Sequence, residues 1–579
     1  VISDTDARVL GVPLGLCLGL GAVALITTAT PTRDFTANLP TEHVILADGQ
    51  AQAVRGVAYE GVDHTRVTAD LDDVPVPLQW QGSAFAVQLP AQPPGAHALR
   101  LGVVHQGNVR RQLVLPVVAG PFAARDAWLD AALTVQLGIN DLDANGARTD
   151  DLMSALSRYL EANGPNDSPL GAIERCTLHL QGDDDTSNFL LGGNIEFTRG
   201  ALTFLIPMRI RRPTRNSLSL ERAGRIQVNP DERALDVGRT QGAALGGAAG
   251  AAAVGWIFGP VGALIGGAFG GMVGQEYGES EVRVRAGTIL ERYVDALLPR
   301  AAQFLTLPEE LALAPTLPGT RLRLRFQAPP RFREGRGLVV VLDAQLEGPP
   351  AQGLPGPLAF SEAAPLPASD RSALRVSPAL VAALVDAYQG SGAAEAALAR
   401  LATDELGQPR RFGPLTLRRA QLALPLLVEP GAAPNTVRWS APDLALTSNL
   451  PLDLHAFARG ALALRLAPDG RSVLAQPSVE TAHVSCRSLA ATGWDHKPCL
   501  SDAMNAIPDI PGRLSRALPE IPLFADILTP LADQPLRAGE LFSLQLTPTS
   551  LQTGDTRGAP QLTLSADLRF QSGGVGRGR

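Results

Sequence analysis

The residues best placed to do chemistry form one polar run, Asn140-Asp141-Leu142-Asp143-Ala144-Asn145-Gly146-Ala147-Arg148-Thr149-Asp150-Asp151. Asp141, Asp143 and Asn145 supply oxygen donors at alternate positions. Gly146 stands where a loop has to turn sharply, and Asp151 lies near the exit. Hard oxygen ligands in this order suit calcium. Counted from Asp141, the twelfth position is Leu152 where a standard calcium loop has glutamate; Asp151, one earlier, could stand in within a shorter loop. The competing reading is a polar strand-to-helix turn in which Thr149 or Asp150 caps a helix over 151–160. The acidic triplet Asp183-Asp184-Asp185 reads as a solvated turn.

A second cluster pairs His483 with Cys486 and His496 with Cys499. Two His-x-x-Cys pairs could hold tetrahedral zinc. In an oxidising compartment a disulfide between Cys486 and Cys499 is the simpler outcome. Cys176 reads as a buried thiol. His43, His64, His97 and His105 lack ligand spacing and read as strand or loop residues. No Gly-x-Ser-x-Gly, His-Glu-x-x-His or Cys-x-x-Cys motif occurs, so a non-enzymatic chain is expected. Lys497 is the only lysine and follows no glycine-rich loop, which excludes a phosphate-binding P-loop. A net charge of −7 argues against nucleic acid, whose phosphates call for a basic face.

The elements carrying these residues divide the 579-residue chain. Residues 1–8 form a short tail. No charge interrupts Val9 to Pro31, long enough for a membrane helix, which needs about 20 residues. The acidic flank VISDTDAR favours a retained anchor over a cleaved signal, although Thr27-Thr28-Ala29 offers a weak cleavage site. Cys17 sits in only a weak lipidation motif. The short tail places the body outside the cytoplasm. The expectation is a single-pass protein of the bacterial inner membrane with its bulk in the periplasm.

Residues 34–120 carry short runs bounded by turns, among them 43–46, 74–80 and 84–89. Leu99, Leu101 and Val103 alternate as in a half-buried strand. Prolines confine 74–80 to a sheet edge. This pattern predicts a β-sandwich, and its closing strand resembles bacterial immunoglobulin-like modules.

The most specific spacing lies at 238–278. Gly238, Gly242, Gly246 and Gly250 recur every four residues; Gly262, Gly266, Gly270, Gly274 and Gly278 repeat the period after Gly259-Pro260. Period four lays each series along one helix face and allows close backbone approach. In water each glycine would cost about 1 kcal/mol relative to alanine. Proline breaks the run into a hairpin. No charge falls between Thr240 and Gln275, but arms of roughly 25 Å at 1.5 Å per residue are short for a full crossing. The segment resembles glycine-zipper hairpins of bacterial envelope proteins. Membrane contact or packing in an oligomer is expected, with a hairpin buried in the soluble fold as the alternative.

The rest alternates helix and strand signals. An amphipathic helix is expected over 289–298, strands at 320–326 and 337–346, and a linker over 346–370. The order strand, polar turn, helix at 133–160 then recurs at 372–385, where Ser377 precedes Pro378 at the first helical position. Alternating strands follow at 461–466, 542–546 and 562–570, with a helix-like stretch at 523–531 and Pro535-Leu536-Arg537-Ala538-Gly539-Glu540 between them. This order resembles the tubular lipid-binding (TULIP) superfamily, which includes the bactericidal/permeability-increasing proteins, over 371–572 and more faintly over 121–345. The resemblance implies a long helix against a curved sheet, with acyl chains held in the apolar space between. It assigns no individual lipid-contacting residue.

The expected architecture is therefore multidomain and mainly β with α+β parts. An anchor at 9–31 precedes a sandwich at 34–120 and a TULIP-like domain at 121–345 that carries the inserted hairpin. The linker and a second TULIP-like domain at 371–573 follow, ending in a flexible tail at 574–579. The expected ligands are lipid and calcium. The expected partners are membrane lipid and either a second copy or a membrane complex.

Overall fold

The structure, a computed structural model, describes residues 37–572 apart from 234–305 and shorter stretches. The main ones are 59–66, 164–171, 361–369, 400–407, 431–435, 498–511, 516–520, 524–535 and 554–560. The anchor at 9–31, the whole glycine series, the helix expected at 289–298 and Cys499 lie outside the described residues. The chain is mainly β and divides among several sheets.

Nine strands come first: β1 (Ala37–Leu39), β2 (Val44–Leu46), β3 (Gln52–Ala58), β4 (Val67–Leu71), β5 (Val74–Pro75), β6 (Leu78–Gln81), β7 (Ala84–Leu89), β8 (Gly95–His105) and β9 (Asn108–Ala119). Alternation sets their faces. In β7, Phe85, Val87 and Leu89 are buried and the residues between them are not. The order β1-β3-β7-β6 faces the order β2-β9-β8-β4-β5 across one core that contains Leu39, Val87, Leu99, Leu101, Leu113 and Leu115. The proline-bearing stretch splits at Val76-Pro77. Its two pieces, β5 and β6, each end a sheet, where a missing backbone donor is tolerated.

The next stretch contains β10 (Leu129–Leu137), helix α1 (Ile139–Leu142), helix α2 (Leu152–Asn163), β11 (Ile173–Gly182), β12 (Asn188–Phe197), β13 (Gly200–Thr214), β14 (Ser217–Arg222), β15 (Gln227–Pro230), β16 (Leu311–Ala312), β17 (Arg321–Phe326), β18 (Arg331–Arg333) and β19 (Gly337–Glu347). Strands β11 to β15 form a separate antiparallel sheet. The remainder contains β20 (Ser372–Val376), helix α3 (Pro378–Gly390), β21 (Arg411–Phe412), β22 (Leu415–Leu422), β23 (Leu427–Glu429), β24 (Thr436–Ser448), β25 (Asp453–Leu466), β26 (Val473–Leu489), β27 (Trp494–Lys497), β28 (Ile521–Leu523), β29 (Leu536–Ala538), β30 (Phe542–Thr553) and β31 (Leu562–Ser572). Leu523, where a helix-like stretch was expected to begin, ends β28.

One sheet joins the two halves. Its order is β16-β17-β19-β10-β20-β31-β30-β29. Outward from the central β10–β20 pair, each side runs first strand of its half, then last strand, then the strands before it. The central pair is antiparallel, with Thr134 opposite Arg375. The arrangement is a palindrome about a local two-fold axis through that pair. A second sheet runs β22-β24-β25-β26-β27 and continues directly into β1-β3-β7-β6, because β27 pairs with β1. The N-terminal sandwich is thus fused edge to edge with the C-terminal half.

Part of the Pro/Gly-rich passage expected as a linker is packed instead. Leu354 and Leu358 are buried with Ala96, Leu424 and Phe457. Leu358 bridges Phe122. Gly356 explains the composition: a Cβ there would lie 2.0 Å from the carbonyl oxygen of Ala123. The glycine permits a close backbone approach rather than flexibility.

Candidate functional site

Each half turns from its central strand into a helix, and these junctions organise the molecule's apolar surfaces. In the second half the junction is one residue. Ser377 Oγ accepts from the Leu380 backbone N–H at 3.2 Å, and Pro378 occupies the first turn. In the first half Asp151 plays this part, its Oδ1 accepting from the Ser154 N–H at 2.6 Å. The cap is therefore Asp151 rather than Thr149 or Asp150. The helix begins at Leu152 rather than 151.

The helices straddle the palindrome. On α3, Leu380, Ala383, Leu384 and Ala387 have helical spacing and pack into the first-half core. Val381, Val385 and Tyr388 pack into the second-half core. On α2, Met153 and Leu156 join the core of the β11–β15 sheet, whereas Ala155 packs with Leu568 and Phe570 of β31. Around the second-half core, Leu422, Leu426, Leu462, Leu466, Leu551, Leu562 and Leu564 are only partly buried. The described residues thus leave an apolar margin beside the close-packed centre.

The Asp-rich loop between β10 and α2 ties the halves together. Asp141 Oδ2 accepts from Ser372 Oγ at 2.6 Å, and its Oδ1 accepts from Arg148 Nη1 at 2.7 Å. Arg148 also donates to Asp150 Oδ1 at 2.9 Å and to the Leu568 carbonyl at 3.1 Å. The bond from Arg148 holds the Asp150 carboxyl below the usual carboxylate range. Asp143 accepts from the backbone N–H groups of Asn145 and Leu180. Asn145 and Gly146 take positive φ angles of 50° and 79°, which makes the turn. The four residues expected to bind calcium, Asp141, Asp143, Asn145 and Asp151, thus serve three tasks: tie, turn and cap. Among the described residues no three His, Cys, Asp or Glu side chains converge as a ligand set. A cation held by all four would have to displace the protein donors.

Cys486 is disulfide-bonded. His483 lies three residues earlier on the same strand, so the two side chains leave opposite faces and do not chelate one ion together. His483 stacks on Phe457 with ring centroids 6.1 Å apart. Burial, then the positive field of Arg100, pushes its pKa down to about 4. Cys176 is a free, buried thiol whose pKa burial pushes up to about 12.

Two ionic clusters have no counterpart in the sequence reading. In the first, Asp443 is fully buried on β24. Its Oδ1 lies 2.8 Å from His455 Nδ1, and its Oδ2 accepts from Arg487 Nη1 at 2.5 Å. Burial alone would raise the Asp443 pKa; Arg487 and His455 outweigh that and hold it down. The signal was Pro442-Asp443 inside an apolar strand. The ladder shifts register between Ala441 and Leu444, and such a bulge re-aims a side chain. In the second cluster, Asp72 contacts His97 Nδ1 at 2.7 Å and Arg459 at 3.3 Å. Glu429 accepts from Ser440 Oγ and from the Ala96 N–H. Despite burial, His97 and Arg459 bring the Asp72 carboxyl down to about 2. This seam joins the N-terminal sandwich to the C-terminal half.

No protein-family model matches the chain, and no curated protein matches it. Among solved structures, the chain is similar to fibronectin(III)-like modules of Clostridium thermocellum CbhA. The identity is 11%, over 34% of this chain and 87% of that one, with a TM-score of 0.13. It is also similar to a DUF4784 family protein from Bacteroides caccae. There the identity is 8%, over 34% of this chain and 51% of that one, with a TM-score of 0.12. Scores this low carry no argument about fold or function.

Proposed function

We propose that this chain is a non-enzymatic, membrane-anchored protein of the bacterial envelope that binds or shelters lipid or another hydrophobic ligand. In this reading the run 9–31 anchors it in the inner membrane and the body stands in the periplasm. The N-terminal sandwich is immunoglobulin-like, and the two halves of the palindrome are TULIP-like units. The glycine series at 238–278 meets lipid or a second copy. The observation that carries the reading is the apolar margin around the second-half core, where partly buried leucines of β22, β25, β30 and β31 extend beyond the packed centre. Apolar surface of this kind is stabilised by whatever removes it from water, at about 25 cal/mol per Å². Native mass spectrometry of the detergent-extracted full chain tests the reading. Retained acyl lipid is expected; a chain that carries none removes the reading.

A second reading is a structural subunit of a membrane complex. It is favoured by the continuous β27–β1 pairing and the Asp72–Arg459–Glu429 seam, which make the N-terminal sandwich a rigid extension of the body. Replacing Gly246 and Gly266 by Leu would then break assembly without changing lipid content.

A further inference from the structure

Away from the helices, a cleft of about 320 Å³ opens beside the β13–β14 turn. The turn is clamped from two sides. The Arg215 carbonyl accepts from the Phe326 N–H at 2.7 Å and the Asn216 carbonyl from the Leu307 N–H at 2.8 Å. Within the turn, Thr214 Oγ1 and Ser217 Oγ lie 2.7 Å apart. The wall is therefore fixed before any ligand arrives.

Most charges lining the cleft are matched within the protein. Arg323 pairs with Glu310 at 2.5 Å and with Glu347 at 2.6 Å. Arg325 pairs with Asp343 at 2.9 Å and lies 4.0 Å over the Trp128 ring. Two charges are left over. The exposed Arg215 guanidinium forms no ion pair with a described residue, and neither does the exposed Glu309 carboxylate, which feels Arg323 only at a distance. A ligand complementary to both carries an anion and a cation. Guanidinium favours planar, two-pronged pairing with phosphate or carboxylate oxygens. The cationic end meets a carboxylate and an indole already covered on one face by Arg325. That setting suits a primary ammonium, which donates hydrogen bonds, better than a quaternary one, which needs an aromatic cage.

We propose that this cleft binds the phosphoethanolamine group, with its phosphate on Arg215 and its ammonium on Glu309. The choice of phosphate over carboxylate rests on the lipid-binding reading. The wall segment starting at Thr306 directly follows 234–305, which holds the glycine series expected to meet lipid.

The test is calorimetric titration of the detergent-solubilised full chain with O-phosphoethanolamine, phosphocholine and inorganic phosphate. Phosphatidylcholine vesicles with and without phosphatidylethanolamine form a second arm. Saturable binding of O-phosphoethanolamine is expected, roughly tenfold tighter than either other probe. Arg215→Gln should weaken all phosphate binding about tenfold. Glu309→Gln should weaken O-phosphoethanolamine and leave inorganic phosphate unchanged. Both side chains are exposed, so the fold is retained. Absence of saturable binding, equal affinity for phosphocholine, or binding unchanged in both variants overturns the proposal. Enhanced binding to phosphatidylethanolamine vesicles assigns the group to a lipid headgroup; binding of the free compound alone supports the site and assigns it to a soluble ligand. Acyl lipid retained by a chain that fails the titration removes this site and leaves the lipid-binding reading standing; the reverse removes that reading and leaves the site.

Discussion

The two halves of the palindromic sheet reach the same geometry by different means. The second half passes from β20 to α3 through Ser377 alone, whereas the first takes residues 138–151 to pass from β10 to α2. Both end in a side-chain cap on a helix that packs across the two-fold axis. The longer junction adds something the shorter one lacks. Through Asp141 and Arg148 it reaches Ser372 and Leu568, both in the other half. One junction is a cap; the other is a cap and a cross-tie. The halves are therefore expected to unfold as one unit.

Substitutions can break this comparison in order of size. Arg487→Met strands the buried Asp443 carboxylate in the second half and should cost about 3–5 kcal/mol in urea unfolding. A loss below about 1 kcal/mol would mean that the second half tolerates an open charge. Asp141→Ala removes the acceptor for Ser372 and one for Arg148, and should cost about 2–3 kcal/mol. Ser377→Ala, at the cap of the shorter junction in the second half, should cost only about 1 kcal/mol. Equal losses for these two would erase the distinction between cross-tie and cap. Both should lower one shared thermal transition; separate transitions would show that the halves fold independently.

Acid acts at the seam between the second half and the N-terminal sandwich. His483 is neutral in the fold to about pH 4 but takes a proton near pH 6.5 when unfolded. Its contribution is complete above pH 6.5 and declines as the pH falls to 4, by on the order of 2 kcal/mol. The side chain faces Arg100 and Arg459 on one side of the balance and Asp72 and Asp73 on the other. His483→Gln should flatten the midpoint-against-pH curve in that window. Asp72 acts lower, its contribution being lost from about pH 3.8 down to about 2. The smallest effect expected is that of calcium: with the carboxylates of Asp141, Asp143 and Asp151 taking protein donors, millimolar calcium should leave the melting temperature unchanged. A rise of several degrees would show that the loop binds calcium.

What could be read beforehand was local. Alternation placed β7, β17 and β25, and Ser377-Pro378 placed the start of α3, because strand period and capping chemistry are written in neighbouring residues. The recurring strand–turn–helix order pointed to a repeat. The ties were not legible, since Asp141 meets Ser372 and Ala96 meets Glu429 only after the sheets assemble. The 351–358 passage is packed where its composition suggests a linker, because glycine and proline mark tight backbone approach as readily as flexibility.

The central claim is that acyl chains occupy the apolar margin around the second-half core. Benzoylphenylalanine placed at Leu462 and photolysed in native membranes tests it directly, with exposed Leu205 as the control position. The account predicts lipid adducts at 462 and none at 205. Adducts only to protein at 462, or equal lipid labelling at both positions, would contradict it.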